Sequence, residues 1–290
     1  MKTILVATDF SEAARNAFLY GRKLAKAFNA NLILFNSFQQ ASIPVGETSG
    51  FVTLQDVKRT TLKQLEEESK VNNGNVATPV FCEEGPVAET ILQAAKDKKA
   101  DIIIIGMKGT GKSFRKIFGS TVTALARITT VPLIVVPQEA KYSDPSTIVL
   151  ANEADLEENA DKHVLDALLE IGEKFHSKLY MVRVAKNKYH KDFEVLNRPL
   201  RLNKLVGPLA PKYEYLHGTN TPQVLNEFIS EHNIDMLALL PHKHSLIERF
   251  FIKSITRSMA FETHVPLLII PYLQQEKIEH SKYNNQEVLL

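Results

Sequence analysis

The run Gly106-Met107-Lys108-Gly109-Thr110-Gly111-Lys112-Ser113 follows a continuously apolar stretch at 102–105, and Gly119-Ser120-Thr121 comes shortly after it. Glycines at 106 and 109 let the backbone turn sharply and approach a ligand with no β-carbon in the way. Residues 119–121 fall where a helix running toward Ile128 should begin. A helix start offers unpaired amides and a partial positive charge, stabilising each anionic contact by about 0.3–1 kcal/mol. Ser120 and Thr121 add hydroxyl donors. Lys108, Lys112, Arg115 and Lys116 place four cations within nine residues, in a chain whose formal net charge is only +2. As a set these residues predict a loop that holds phosphates, although for any single lysine plain solvation of a surface loop explains as much.

Read literally, 106–113 satisfies G-x-x-x-x-G-K-[ST], in which backbone amides wrap the phosphates, Lys112 reaches the terminal ones and Ser113 holds magnesium. An enzyme of that type also needs a metal-holding carboxylate at the end of a neighbouring strand. The later strand candidates end in Val-Val-Pro, Val-Arg-Val-Ala and Ala-Leu-Leu-Pro, so Asp9, upstream, would have to substitute. A P-loop ATPase or phosphotransferase using Lys112 and Ser113 therefore stays open as an alternative.

The loop needs a scaffold, and the scaffold is written twice. Val131-Pro132-Leu133-Ile134-Val135-Val136-Pro137 returns 134 residues later as Val265-Pro266-Leu267-Leu268-Ile269-Ile270-Pro271. The same displacement carries Asp101 onto Asp235, Arg115 onto Arg249 and Ser120 onto Ser254, while Ile4-Leu5-Val6-Ala7 matches Ile148-Val149-Leu150-Ala151 at a displacement of 144. The chain is expected to be a tandem duplication of one domain, 1–140 and 146–273, with a turn-like linker around Asp144-Pro145 and a polar tail at 274–290.

In the first copy, strands are predicted at 3–7, 31–35, 76–82, 101–105 and 131–136. The second copy repeats them at 147–151, 179–185, 212–216, 234–240 and 265–270. One helix carries Ala14, Ala17, Phe18, Gly21, Leu24, Ala25 and Phe28 on a single stripe, with Ser11 as its cap. Another opens with Pro86 in its first turn and buries Val87, Ile91 and Ala95. In the second copy, Val164, Leu165, Leu168, Gly172 and Phe175 form the matching stripe. Apolar strands separated by helices imply an α/β doubly wound parallel sheet, five strands per copy. Pro79 cannot donate to a ladder, so the third strand belongs at an edge, compatible with order 3-2-1-4-5.

The spacing Gly106, two residues, Gly109, nine residues, Gly119-Ser120 resembles the nucleotide-binding signature of the universal stress protein family. Three further features fit that resemblance: an Asp two residues past the first strand, a last strand flanked by prolines, and a five-stranded α/β unit of this length. It implies an adenine nucleotide lying across the carboxyl ends of the strands, where the strand order reverses. Ala7, Thr8 and Asp9 would meet the adenine and ribose side, although Asp9 could instead simply cap the helix near Ser11. Phe35 and Asn36 would line the base pocket. Gly106, Met107, Lys108 and Gly109 would run along ribose and phosphates, and Gly119, Ser120 and Thr121 would bind the phosphates. ATP, with Mg²⁺, is the implied ligand. The family also implies that paired domains meet through their last strands, here within one chain, and a dimer of such chains stays open.

The second copy departs from the signature: Gly106 maps to Leu240, Gly109 to Lys243 and Gly119 to Lys253, with only Ser254 keeping its type. Asp9 maps to Glu153 or Asn152, depending on a gap. This copy is expected not to hold ATP in the family manner. The expected activity is nucleotide-dependent stress signalling to a protein partner the sequence does not identify. No general base is placed by motif, so catalysis is not expected beyond slow ATP hydrolysis. A scaffold without nucleotide, its second domain taking a lipid or metabolite, is a further alternative.

Composition narrows the rest. Lys plus Arg total 35 against 33 Asp plus Glu, which marks no nucleic-acid or membrane-surface binder. No apolar run approaches the ~20 residues needed to span a bilayer, and the N-terminus lacks the features of a signal peptide. Cys82 is the only cysteine, which excludes an internal disulfide framework and suits a reducing, cytoplasmic setting. Without a cationic neighbour in sequence, it is not a catalytic thiol candidate. His217, His242 and His244 read as loop histidines rather than metal ligands.

Overall fold

The computed structural model describes residues 1–39, 53–71, 77–108, 120–152, 163–185, 200–240 and 264–271. Among these residues ten strands form one sheet in the order β3-β2-β1-β4-β5-β10-β9-β6-β7-β8. The first five are β1 (Thr3–Ala7), β2 (Asn31–Phe38), β3 (Val80–Glu84), β4 (Ile102–Met107) and β5 (Leu133–Pro137). The second five are β6 (Thr147–Asn152), β7 (Lys178–Ala185), β8 (Lys212–His217), β9 (Met236–Leu240) and β10 (Leu267–Ile269). Each set has the order 3-2-1-4-5 in its own count, and every pairing within a set is parallel. The sets join where β5 runs antiparallel to β10, with Leu268 opposite Ile134.

Alternation along each strand feeds two cores. Leu5, Ile33, Phe35, Ile103 and Ile105 face one side, packing with Ala88, Ile91 and Leu125 of α3 (Val87–Asp97) and α4 (Ser120–Ile128). Ile4, Val6, Leu32 and Leu34 face the other, against Phe18 and Leu24 of α1 (Glu12–Phe28) and Leu65 of α2 (Leu54–Ser69). Strands buried on both faces need apolar residues throughout, which is why these read as unbroken runs. In the second set, α5 (Asp166–Lys174), α6 (Leu200–Val206) and α7 (Thr221–Glu231) take the covering positions.

Asp101 and Asp235 do the same local work. Asp101 Oδ2 accepts the N–H groups of Lys2 and Thr3, while Asp235 Oδ2 accepts the N–H of Thr147 and the hydroxyl of Ser146. Each ties the start of a central strand to its neighbour.

Some boundaries differ from those expected. The third strand is β3 at Val80–Glu84 rather than 76–82, because Pro79 ends up ahead of it and contributes only a carbonyl, accepting from Leu34 N–H. Pro86 caps α3 from outside instead of sitting in its first turn, and Val87 is only partly buried. In the second set Val164 and Leu165 are buried but precede α5. The linker is docked rather than loose. Asn16 Nδ2 donates to the carbonyls of Pro137 and Ala140, and the Tyr142 ring lies 5.0 Å from that of Tyr20 at 60°.

Candidate functional site

A cleft of about 390 Å³ opens at the carboxyl ends of β1, β2 and β4, within the size range of small-molecule sites. Because β1 is flanked by β2 on one side and β4 on the other, with helices on opposite faces, this is the point where the strand order reverses. Ala7, Thr8 and Asp9 line it from the end of β1, and Phe35 and Asn36 from β2. Gly106, Met107 and Lys108 come from the end of β4, and Ser120 and Thr121 from the first turn of α4. Ten of the twelve residues singled out in the sequence therefore meet in one cavity; Gly109 and Gly119 lie outside the described residues, as do Lys112 and Ser113.

The turn from β1 into α1 is built from side chains bonded to backbone. Ser11 Oγ accepts from Ala14 N–H at 3.2 Å and caps α1. Asp9 Oδ1 accepts from Ser11 N–H at 3.0 Å, so one oxygen of this exposed carboxylate fixes the turn while the residue faces the cleft. Thr8 is buried and its polar groups are turned into the protein. Its N–H donates to the Phe35 carbonyl, its carbonyl accepts from Asn36 Nδ2 at 2.7 Å, and its hydroxyl donates to Glu68 Oε2 at 3.0 Å. The Asn36 amide thus buttresses the cleft wall.

Gly106 is also required by a neighbour that its sequence context does not reveal. A β-carbon there would lie 2.3 Å from the Ala13 carbonyl oxygen and 2.6 Å from Ala14 N, well inside contact distance. The missing side chain makes room for the first turn of α1. Close passage brings the starts of α1 and α4 to the same cleft, with Ser11, Ala13 and Ala14 on one side and Ser120 and Thr121 on the other. Two helix starts therefore line a common space beside Lys108, while Val87, Ile91, Ile105 and Val122 supply an apolar side.

Glu68 was not apparent in the sequence as a site residue. It is 5% exposed, and burial is the main cause that holds its carboxyl above the ordinary range, opposed by the Thr8 hydroxyl bond and by Arg15. Cys82 is buried on β3 and its thiol is likewise pushed up by burial, which disfavours the reactive thiolate. Among the described residues no cluster of three or more His, Cys, Asp or Glu side chains could hold a metal, and His242 and His244 lie outside them. No helix among the described residues is long and apolar enough to cross a membrane.

In the second set, Ala151 pairs with Leu239 as Ala7 pairs with Ile105. Leu240, buried, therefore holds the place of Gly106, and the same register makes Glu153 the counterpart of Asp9. Glu153, Lys243 and Lys253 lie outside the described residues.

The fold and the cleft define a doubly wound α/β domain of the kind that takes ligands at its strand ends. Residues 1–137 match the family model described as Universal stress protein family, and this part of the chain belongs to that family. A universal stress protein of Thermus aquaticus, encoded in the QAH/OAS sulfhydrylase 3′ region, is 28% identical over 138 residues, covering 47% of this chain and 98% of its own. Universal stress protein YxiE of Bacillus subtilis is 26% identical over 144 residues, covering 46% and 97%. Among solved structures, a universal stress protein from Archaeoglobus fulgidus superposes with a TM-score of 0.70 at 14% identity, over 92% of this chain and 97% of that one. A putative universal stress protein from Pseudomonas aeruginosa gives 0.59 at 11%, covering 94% of each. At these identities the two structures speak to the fold alone, which they share across both five-stranded sets.

Proposed function

We propose that the cleft of the first domain, 1–140, binds an adenine nucleotide, ATP with Mg²⁺, and that the chain acts as a nucleotide-dependent stress-signalling module in the cytoplasm. The observation that carries this reading is the convergence of two helix starts, Lys108 and an apolar wall on one cleft at the strand reversal. The apolar side formed by Val87 and Ile91 with Phe35 suits a base, and the amides at the starts of α1 and α4 suit phosphates. Asp9 is the only carboxylate lining the cleft among the described residues, so Mg²⁺ would be held mainly by the phosphates themselves. The second domain, 146–273, carries Leu240 where the first has Gly106. It serves as a structural partner that does not take ATP in the same way.

Mass spectrometry of small molecules released from the purified protein, followed by calorimetric titration with Mg-ATP, tests the reading. An adenine nucleotide released, or a saturable site of one per chain, is the expected result. No release and no thermal stabilisation by millimolar Mg-ATP overturns it, because a ligand at 100 times its Kd should add about 2.7 kcal/mol to stability. Gly119→Lys, which copies the second half into the first, is expected to abolish binding, while Lys112→Ala weakens it modestly. The opposite ranking would indicate a P-loop enzyme.

A further inference from the structure

Directly behind the cleft wall lies a buried carboxyl group, Glu68, bonded to Thr8 of that wall. Glu68 sits in the last turn of α2, where a negative charge faces the negative end of the helix dipole. It is 5% exposed, Oε2 accepts the Thr8 hydroxyl at 3.0 Å, and Oε1 is buried with no hydrogen-bond partner among the described residues. A threonine hydroxyl has one proton. Having given it to Glu68, Thr8 Oγ1 acts as acceptor, and it takes the Phe10 N–H at 3.0 Å.

Phe10 is the strained point of this turn. Its φ of 64° puts a bulky residue in the left-handed region, which persists only where surrounding bonds fix it. Asp9, whose carboxylate faces the cleft, stands between the two residues so held. A Val–Leu pair at 8 and 68 would fill similar space without burying a charge, yet it would leave the Phe10 N–H with no acceptor. The three residues form a relay from α2 to the mouth of the cleft.

We propose that Glu68 is a positioning residue of the cleft: through the Thr8 hydroxyl it locks the left-handed turn at Phe10 and so sets where Asp9 and the first amides of α1 meet the nucleotide. This rests on the nucleotide reading above. Glu68 does not touch the ligand; it fixes the residues that do.

The test measures Mg-ATP affinity by calorimetry and, separately, Phe10 amide exchange in nucleotide-free protein. The variants are Glu68→Gln, Glu68→Ala, Thr8→Val and the double change Glu68→Ala/Thr8→Val. Because a glutamine oxygen still accepts the Thr8 hydroxyl, Glu68→Gln is expected within about threefold of the unaltered protein. Glu68→Ala and Thr8→Val should each lose about tenfold, and the double variant no more than the worse single one, since both break one relay. Phe10 exchange should rise about tenfold in Glu68→Ala but not in Glu68→Gln. Losses that multiply in the double variant, or a Glu68→Ala protein within twofold in affinity and unchanged in Phe10 exchange, would overturn the proposal. Should Glu68→Ala not fold, equal losses in Thr8→Val and Glu68→Gln would do the same. If the unaltered protein does not bind Mg-ATP, the nucleotide reading falls by itself, and Phe10 exchange alone decides whether Glu68 holds the turn.

Discussion

Gly106→Ala is the smallest change that should disturb the cleft without touching any of its polar groups. A β-carbon built at 106 lies 2.3 Å from the Ala13 carbonyl oxygen, 2.4 Å from the Ala13 carbonyl carbon and 2.6 Å from Ala14 N. Ordinary contact needs roughly 3.5 Å, so α1 and β4 must separate by about 1 Å. Every one of these neighbours is backbone, and the first turn of α1 cannot swing aside as a side chain would. Overpacking of this kind costs about 1–3 kcal/mol. For a chain of this size that corresponds to a fall in Tm of about 2–12 °C, taking about 2–4 °C per kcal/mol. Ser11, Ala13 and Ala14 also line the cleft, so the same displacement moves the α1 amides away from the α4 start, and Mg-ATP affinity should drop by at least tenfold. Calorimetric melting with and without Mg-ATP reads both effects. Ala13→Gly added to Gly106→Ala should not restore either, because the clash is with main-chain atoms that glycine retains. A Gly106→Ala protein with unchanged Tm and affinity, or a rescue by Ala13→Gly, would refute the reasoning.

Three further outcomes follow from the geometry. Because the Glu68 carboxyl is held above its ordinary range when folded, the native state binds more protons than the unfolded chain between the unfolded and folded values, and stability falls as pH rises through that window. Glu68→Gln should therefore melt higher than the unaltered protein at pH 7.5 and equal to it below about pH 4; a difference independent of pH would contradict this. Asn36→Ala leaves the buried Thr8 carbonyl without its 2.7 Å donor and should cost about 1–3 kcal/mol in urea unfolding; an unchanged urea midpoint would show that the carbonyl finds another donor. Tyr142→Ala removes the ring that packs on Tyr20 and lies under Lys23 Nζ at 5.2 Å, and should lower Tm by several degrees, a result that a freely swinging linker would not give.

Much of the scaffold could be read without coordinates because its physics is local. Four apolar residues from Ile4 to Ala7 need both faces covered, Ser11 precedes a regular stripe, and Pro79 bars its neighbourhood from the sheet interior. The cleft residues were legible because glycines and hydroxyls at fixed spacing serve one purpose, and because a strand reversal puts strand ends and helix starts together. Helix α2 was not legible. Its buried positions are Thr61, Leu65 and Glu68, two of the three polar, so its face carries little apolar period. Glu68 was hidden for the same reason: its partner, Thr8, is sixty positions away in sequence, and only packing brings the two together. Gly106 lines the cleft, but its need to be glycine against α1 was hidden, since nothing local reveals that α1 passes within contact distance.

The antiparallel seam between β5 and β10 also bears on concentration. A lone five-stranded unit ending at β5 would leave that edge open, and covering it with a second copy would be a bimolecular event that weakens on dilution. Here the covering strand lies on the same polypeptide, so closing the seam calls for no second molecule, and the two flanks of the sheet are free to diverge because neither has to match itself.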